Sequence, residues 1–303
     1  MISCFFSTGG MHLATMLGML SGMMQRITEA EHFGGISAGA LMASVCAVHG
    51  PIDAYDVLLK HSTDKLLKQN YKYFNTLLSF FFKDSLLDAS LLEATLKEIL
   101  PAQPLKANLH VGYTNKNSME YTSMLFEKGK SYPNLYKHVL ASMAIPLVLP
   151  SVKINDNEYV DGGLYHSIPI EAIQKVVQHS IQTKEPLDLI VMSSKPFNYK
   201  MQEKIKKHSI FQSAYDAYHM IDGQECISSH TDKKFLDSLL ENAKLQHEHI
   251  NFNFFYVTQE AHASWNNKIH MENYGEITKE TIDDLVQLGK SIVQKTLKSN
   301  LKF

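Results

Sequence analysis

Residues 33–41 read Phe-Gly-Gly-Ile-Ser-Ala-Gly-Ala-Leu. Strands favour β-branched and aromatic residues and helices favour long unbranched ones, so this cluster of Gly, Ser and Ala serves neither as packing. It fits a backbone bent so sharply around Ser37 that nothing larger can pass. The flanks give the bend its direction: HFGGI at 32–36 reads as a strand and AGALMASVCAVH at 38–49 as a helix. Gly35 and Gly39 lie two positions either side of the serine, where a Cβ would collide as strand and helix close on each other. G-x-S-x-G between a strand and a helix is the nucleophile-elbow pattern. It sets the Ser37 hydroxyl at a helix N-terminus, where unpaired N–H groups favour negative charge.

Working outward, further short apolar runs resemble strands: ISCFF at 2–6, LHVGYTN at 109–115, LDLIVMSS at 187–194 and FNFFYV at 252–257. Between them lie helical patterns at Met11–Ile27, Leu87–Leu100, Tyr199–Ile221, Asp232–Gln246 and Ile277–Leu297. That alternation predicts an α/β fold with a mostly parallel sheet covered on both faces. Leu13, Met16, Leu17, Leu20, Met23 and Met24 recur at helical spacing, which reads as a buried core helix rather than a ligand-binding methionine stripe. Residues 70–87 contain Phe80-Phe81-Phe82 without strong caps and read as irregular or partly helical.

Composition narrows the function classes. The chain has 303 residues, 45% of them hydrophobic, a length compatible with one large α/β domain or two small ones; no linker, repeat or low-complexity tract divides it. The net charge is −2 and Arg26 is the sole arginine, which speaks against a nucleic-acid reader built on bidentate arginine clamps. Cys4, Cys46 and Cys226 are odd in number, lack metal or redox spacing, and read as free thiols in a reducing compartment. The opening run MISCFFSTGG has no basic leader and does not read as a signal peptide. No apolar stretch reaches the ~18 residues of a bilayer span. The expectation is a soluble cytoplasmic chain, with a peripheral position at membranes left open.

A serine that attacks a carbonyl needs donors for the oxyanion and a base. Thr8-Gly9-Gly10 lies where the first strand gives way to the following helix, and glycines there let N–H groups reach a ligand. An ordinary tight turn between strand and helix would look the same. The base candidate is Asp161 in EYVDGGLYHSIPI, a carboxylate at a strand end where Gly162 and Gly163 permit close approach to another loop. The competing reading is a D-G turn joining two strands.

Taken together, TGGMH at 8–12, GGISAGAL at 34–41 and DGG at 161–163 resemble the patatin-like phospholipase family. The stretch LASMAIPLVLPSVKINDNEYVDGG is similar to the family's Ala-Ser-x-Ala-x-Pro segment leading into its Asp. The likeness covers roughly residues 1–195, with 196–303 read as the C-terminal part of the same domain. It implies a three-layer α/β/α fold and a Ser37–Asp161 dyad without histidine. It also implies an oxyanion hole from backbone N–H groups of Gly9, Gly10 and Met11, and no metal or other cofactor. The implied substrates are glycerophospholipids or acylglycerols at a membrane or micelle surface. An unperturbed Asp, with a pKa of ~3.9, accepts protons poorly at neutral pH, so the dyad requires a buried Asp161. Two departures stand out. The family's oxyanion loop is usually Gly-Gly-Gly-x-Arg-Gly, whereas Thr8, His12 and Leu13 occupy the first, fifth and sixth places here; Ser167 replaces an Asn that often follows the D-G-G.

Two rivals remain at this level. A Ser-His-Asp α/β-hydrolase would recruit His208, His219, His249, His262 or His270, although its elbow normally follows several strands. A non-catalytic relative would bind lipid or a partner without turnover. The His247-x-His249 pair lacks metal-site spacing. Tyr73, Phe74 and Phe80–Phe82 could wedge into an interface, and Lys200, Lys204, Lys206 and Lys207 could meet headgroups; core and solvated-face readings are the commoner alternatives.

Overall fold

The apolar runs become strands of one eight-stranded sheet. In the computed structural model, which describes residues 1–61, 89–146, 148–197, 228–245, 249–267 and 279–300, these are β1 (Ile2–Phe6), β2 (His32–Ile36), β3 (Asn108–Asn115), β4 (Tyr121–Phe126), β5 (Val152–Ile154), β6 (Asn157–Asp161), β7 (Leu187–Ser193) and β8 (Ile250–Tyr256). Strands pair in the sequence β5-β6-β3-β2-β1-β7-β8, with β4 also on β3. The β3-β2-β1-β7-β8 pairs are parallel; β4, β6 and β5 add antiparallel partners.

Side chains alternate between two cores, as period 2 demands of strands buried on both faces. Cys4, Phe6, Phe33, Val111, Tyr113, Ile190 and Met192 point to one core. That core is shared with α1 (Leu13–Met23), α2 (Ala38–His49), α3 (Pro51–His61), α4 (Ser90–Ile99) and α5 (Leu135–Ser142). Phe5, Leu189 and Val191 point to the other, against α6 (Ile170–Thr183) and the helix at 228–245, α7. The last helices are α8 (Gln259–Asn267) and α9 (Lys279–Asn300). This is the expected α/β architecture, a mixed and mostly parallel sheet flanked by helices.

The methionine-rich helix is indeed core. Leu13, Met16, Leu17, Leu20 and Met23 are buried, and Gly18 lets α1 approach α9 so closely that an added Cβ would sit 2.0 Å from the Val286 carbonyl oxygen. Its start is shorter than the periodicity predicts, because Gly10–His12 form a 3-10 turn before it. The Asp232–Gln246 pattern starts earlier, at residue 228. Predicted Tyr199–Ile221, the 70–87 segment, both candidate docking clusters and Cys226 lie outside the described residues. Cys4 and Cys46 are buried free thiols whose pKa values burial pushes well up, which leaves them unreactive. Among the described residues no helix is long and apolar enough to cross a membrane.

Burial has a pH consequence. His110 lies under α6 with His32 stacked on it, their rings 5.5 Å apart, and burial lowers His110 to about 3 and His32 to about 4. Across the sheet, burial lowers His138 to about 4, and its Nδ1 shares a 3.0 Å hydrogen bond with the Tyr113 hydroxyl. Unfolded histidine titrates near ~6.5. Unfolding therefore takes up protons below that value, and stability is full above it and lost as pH falls toward 4. The melting temperature is expected to drop over that interval, and His110→Phe, which has no proton to gain, should flatten the slope. A melting temperature constant from pH 7 to 4.5 would contradict this.

Candidate active site

The bend at Ser37 is as sharp as its neighbours suggest. Ser37 has φ 58° and ψ −126°, in the left-handed half of the map where a residue with a Cβ is strained by roughly 1–3 kcal/mol. The surroundings hold it there. A Cβ on Gly35 would meet the Gly39 carbonyl oxygen at 2.1 Å, and one on Gly39 would meet the Ser7 carbonyl oxygen at 2.3 Å. Strand β2, helix α2 and the end of β1 are thus in backbone contact around the serine. The Ser37 N–H donates to Ser142 Oγ (2.8 Å), and that hydroxyl donates to the Gly112 carbonyl (2.5 Å). Ser142 therefore ties the elbow to β3.

The registers on β3 show how Asp161 reaches this place. β2 pairs with residues 108–112 of β3, and β4 pairs with residues 109–114. Because they share rungs, β2 and β4 occupy opposite edges. β6 pairs with residues 113–115, where β4 already holds one edge, so β6 lies on the edge that β2 has just vacated. β2 is parallel to β3 and β6 antiparallel, so the two run toward each other and stop on adjacent rungs: Ile36 at Gly112 and Asp161 at Tyr113. The rungs are separated by about one residue rise, ~3.3 Å. Directly paired residues share a face. Tyr113 belongs to the core under α2 and α5, so Asp161 leaves the sheet on the face where α2 begins.

The lack of a side chain at Gly162 makes that meeting possible. A Cβ on Gly162 would lie 2.9 Å from the Gly112 carbonyl oxygen and 3.0 Å from Ile36 Cγ2. The D-G-G is a strand end followed by the 3-10 turn Gly162–Leu164, not a turn joining two strands. The Gly163 N–H donates to Asp161 Oδ1 (2.7 Å) and orients the carboxylate, while the Asp161 N–H donates to the Ala144 carbonyl (2.9 Å). Ser142 and Ala144 thus hold the serine and the aspartate from one short segment. Both are buried, with 3% of Ser37 and 2% of Asp161 exposed. The sequence could not supply that burial.

The third component lies against the elbow. A Cβ on Gly9 would sit 3.5 Å from Ala38 Cβ and 2.9 Å from Ser194 Oγ. The His12 N–H closes back onto the Gly9 carbonyl (2.8 Å), which leaves Gly10 and Met11 N–H groups at the head of the 3-10 turn, where first-turn donors lack helical partners. Gly10 adopts φ 48°, a conformation that suits glycine. Ser194 at the end of β7 fixes the approach: its hydroxyl donates to the Thr8 carbonyl (2.9 Å) and its N–H to Ser7 Oγ (3.1 Å).

Sequence reasoning missed Ser142, Ala144 and Ser194 as supports, although the first two stand in the Ala-Ser-x-Ala stretch it had singled out. His12 is buried and stacks on His262, ring centroids 4.7 Å apart, so the residue in the family's usual Arg position is an aromatic packing partner. His208, His219, His247 and His270 lie outside the described residues. Tyr121 is a neutral phenol on the α6 face of the sheet, opposite the face on which Asp161 leaves it: its hydroxyl would lie 2.2 Å from a Cβ on Gly112, and burial pushes its pKa well up. Among the described residues no three His, Cys, Asp or Glu side chains group as a metal site.

The chain is similar to known proteins in sequence and in structure. The family profile described as Patatin-like phospholipase matches residues 5–173, more than half of the chain. The probable lipid hydrolase 463L of Invertebrate iridescent virus 6 is 24% identical over 203 residues, 61% of this chain and 67% of that protein. VipD from Legionella pneumophila superposes with a TM-score of 0.42 at 16% identity, over 98% of this chain; the chain spans 66% of VipD's length. The matched span contains the glycine turn, the serine elbow and the D-G-G, and the chain belongs to the patatin-like phospholipase family.

Proposed function

We propose that the chain is a lipid acyl hydrolase of phospholipase A type, cleaving carboxylic esters of glycerophospholipids or acylglycerols with Ser37 as nucleophile and Asp161 as its base. The observation that carries this reading is the head-on meeting of β2 and β6 on one edge of β3, with the Gly9-Gly10 turn beside it. We also read residues 1–303 as one domain, because β8 extends the same sheet and α9 packs on α1.

The steps follow from the groups present. Ser37 Oγ attacks the ester carbonyl carbon as its proton passes to Asp161. The carbonyl oxygen becomes an oxyanion held by the N–H groups of Gly10 and Met11, with Gly9 shaping the turn. Collapse breaks the C–O bond, and Asp161 returns the proton to the departing alcohol or lysolipid. Water then attacks the acyl-serine, Asp161 takes its proton, and Ser37 Oγ regains it as the fatty acid leaves. An ester carries a better leaving group than an amide, so a carboxylate base suffices.

The test is hydrolysis of phosphatidylcholine vesicles and triacylglycerol emulsions, with products identified by acyl position. Release of fatty acid by the wild type at a rate above buffer is the expected result; none on either lipid would overturn the reading. The oxyanion role has its own variant. Gly10→Val forces a β-branched residue into φ 48° and should move the donors, costing about 10²–10³ in kcat. Unchanged turnover in a folded Gly10→Val would place the oxyanion donors elsewhere.

A further inference from the structure

The part of the chain beyond residue 173, where the family match ends, sends an acidic side chain back toward the site. Asp232 lies in the first turns of α7 and is 4% exposed. Its Oδ2 accepts the backbone N–H groups of Ser167 (2.8 Å) and Ile168 (3.1 Å), and its Oδ1 accepts from His166 Nδ1 (2.9 Å). Those three donors follow the D-G-G turn, whose Gly162 carbonyl also receives the His166 N–H (3.2 Å). On its other side the same segment touches the oxyanion turn, because the Ser167 carbonyl accepts the Thr8 N–H at 2.7 Å.

We infer that Asp232 is a positioning residue for catalysis, an anchor that helps set the D-G-G segment and the Thr8-Gly9-Gly10 turn in register with each other. It does not touch the reacting atoms. It acts through two consecutive hydrogen bonds, Asp232 to the Ser167 N–H and the Ser167 carbonyl to Thr8. The carboxylate fits this task because one oxygen can accept two adjacent backbone donors while the other holds His166, whose ring edge packs on Tyr121 at 4.9 Å. Without the acceptor, two buried N–H groups must find other partners and the 166–168 segment shifts to reach them. A displacement near 1 Å at a catalytic group can cost about a hundredfold in rate.

The inference rests on the serine hydrolase reading, so the experiment carries Ser37→Ala alongside. On a soluble p-nitrophenyl ester, Asp232→Ala is expected to lower kcat roughly tenfold to a hundredfold with KM within about threefold, and to slow fluorophosphonate labelling equally. Asp232→Asn keeps a carbonyl oxygen for Ser167 and Ile168 and should recover most of the rate. His166→Phe, which removes only the imidazole arm, should stay within about tenfold of the wild type. If Asp232→Ala does not fold, Asp232→Glu carries the test: the charge stays, the oxygens move by one methylene, and kcat should fall in a folded protein. A folded Ala or Glu variant with wild-type kcat and labelling would overturn the inference, as would an Asn variant as impaired as Ala. Activity surviving in Ser37→Ala would instead overturn the serine hydrolase reading.

Discussion

Ser37→Ala is expected to abolish ester hydrolysis, by on the order of 10⁵-fold or more in kcat, while the protein stays folded. The effect is this large because, in the proposed mechanism, the Ser37 hydroxyl forms the acyl intermediate. The stability effect is small for reasons visible in the elbow. Alanine keeps the Cβ and therefore the strain at φ 58°, and the backbone N–H at 37 still donates to Ser142. A change within about 1 kcal/mol is expected from loss of one hydroxyl. Comparable turnover in the folded variant would remove the nucleophile assigned here.

The second large effect is Asp161→Asn. The amide oxygen can still accept the Gly163 N–H, and the Ala144 bond and the β3 pairing involve only backbone, so the turn should keep its shape. An amide cannot take the serine proton, and a loss of roughly 10³–10⁵ in kcat follows. Removing a histidine should matter far less. His166→Ala is expected to cost under about tenfold, since its ring packs beside the D-G-G segment without standing between Ser37 and Asp161. The same tolerance is expected on replacing His208, His219, His249, His262 or His270 one at a time. A folded single-histidine variant as inactive as Ser37→Ala would turn the dyad into a triad.

The parts of the site that were legible in the sequence are those that demand glycine. Gly35 and Gly39 sit against backbone oxygens, Gly10 takes a positive φ, and Gly162 crosses Gly112, so each leaves a mark that a single chain reveals. The helix 38–49 and strands 2–6 and 32–36 were readable because their apolar pattern is local and unbroken. What brings Ser37 and Asp161 together is not local. It depends on β3 exchanging one edge partner for another after Gly112, which no periodicity within β3 records. The β5–β6 hairpin escaped because it is short and largely polar, with Lys153, Asn157 and Glu158 facing outward or half-exposed. Helix α6 is a different case: Ile170, Ile173, Val176 and Val177 carry its apolar face in plain view, and that spacing would have found it. Asp232 left no local sign, because a buried carboxylate serving distant backbone donors looks like any surface aspartate in a helix.

The most direct measurement is to trap the covalent intermediate and locate it. Wild-type protein treated with a fluorophosphonate, digested and mapped by mass spectrometry is expected to carry one phosphonyl group, on Ser37. Labelling should be lost in Ser37→Ala and strongly slowed in Asp161→Asn. A phosphonyl group on a different residue, or undiminished labelling of Ser37→Ala, would contradict the assignment of Ser37 as the nucleophile.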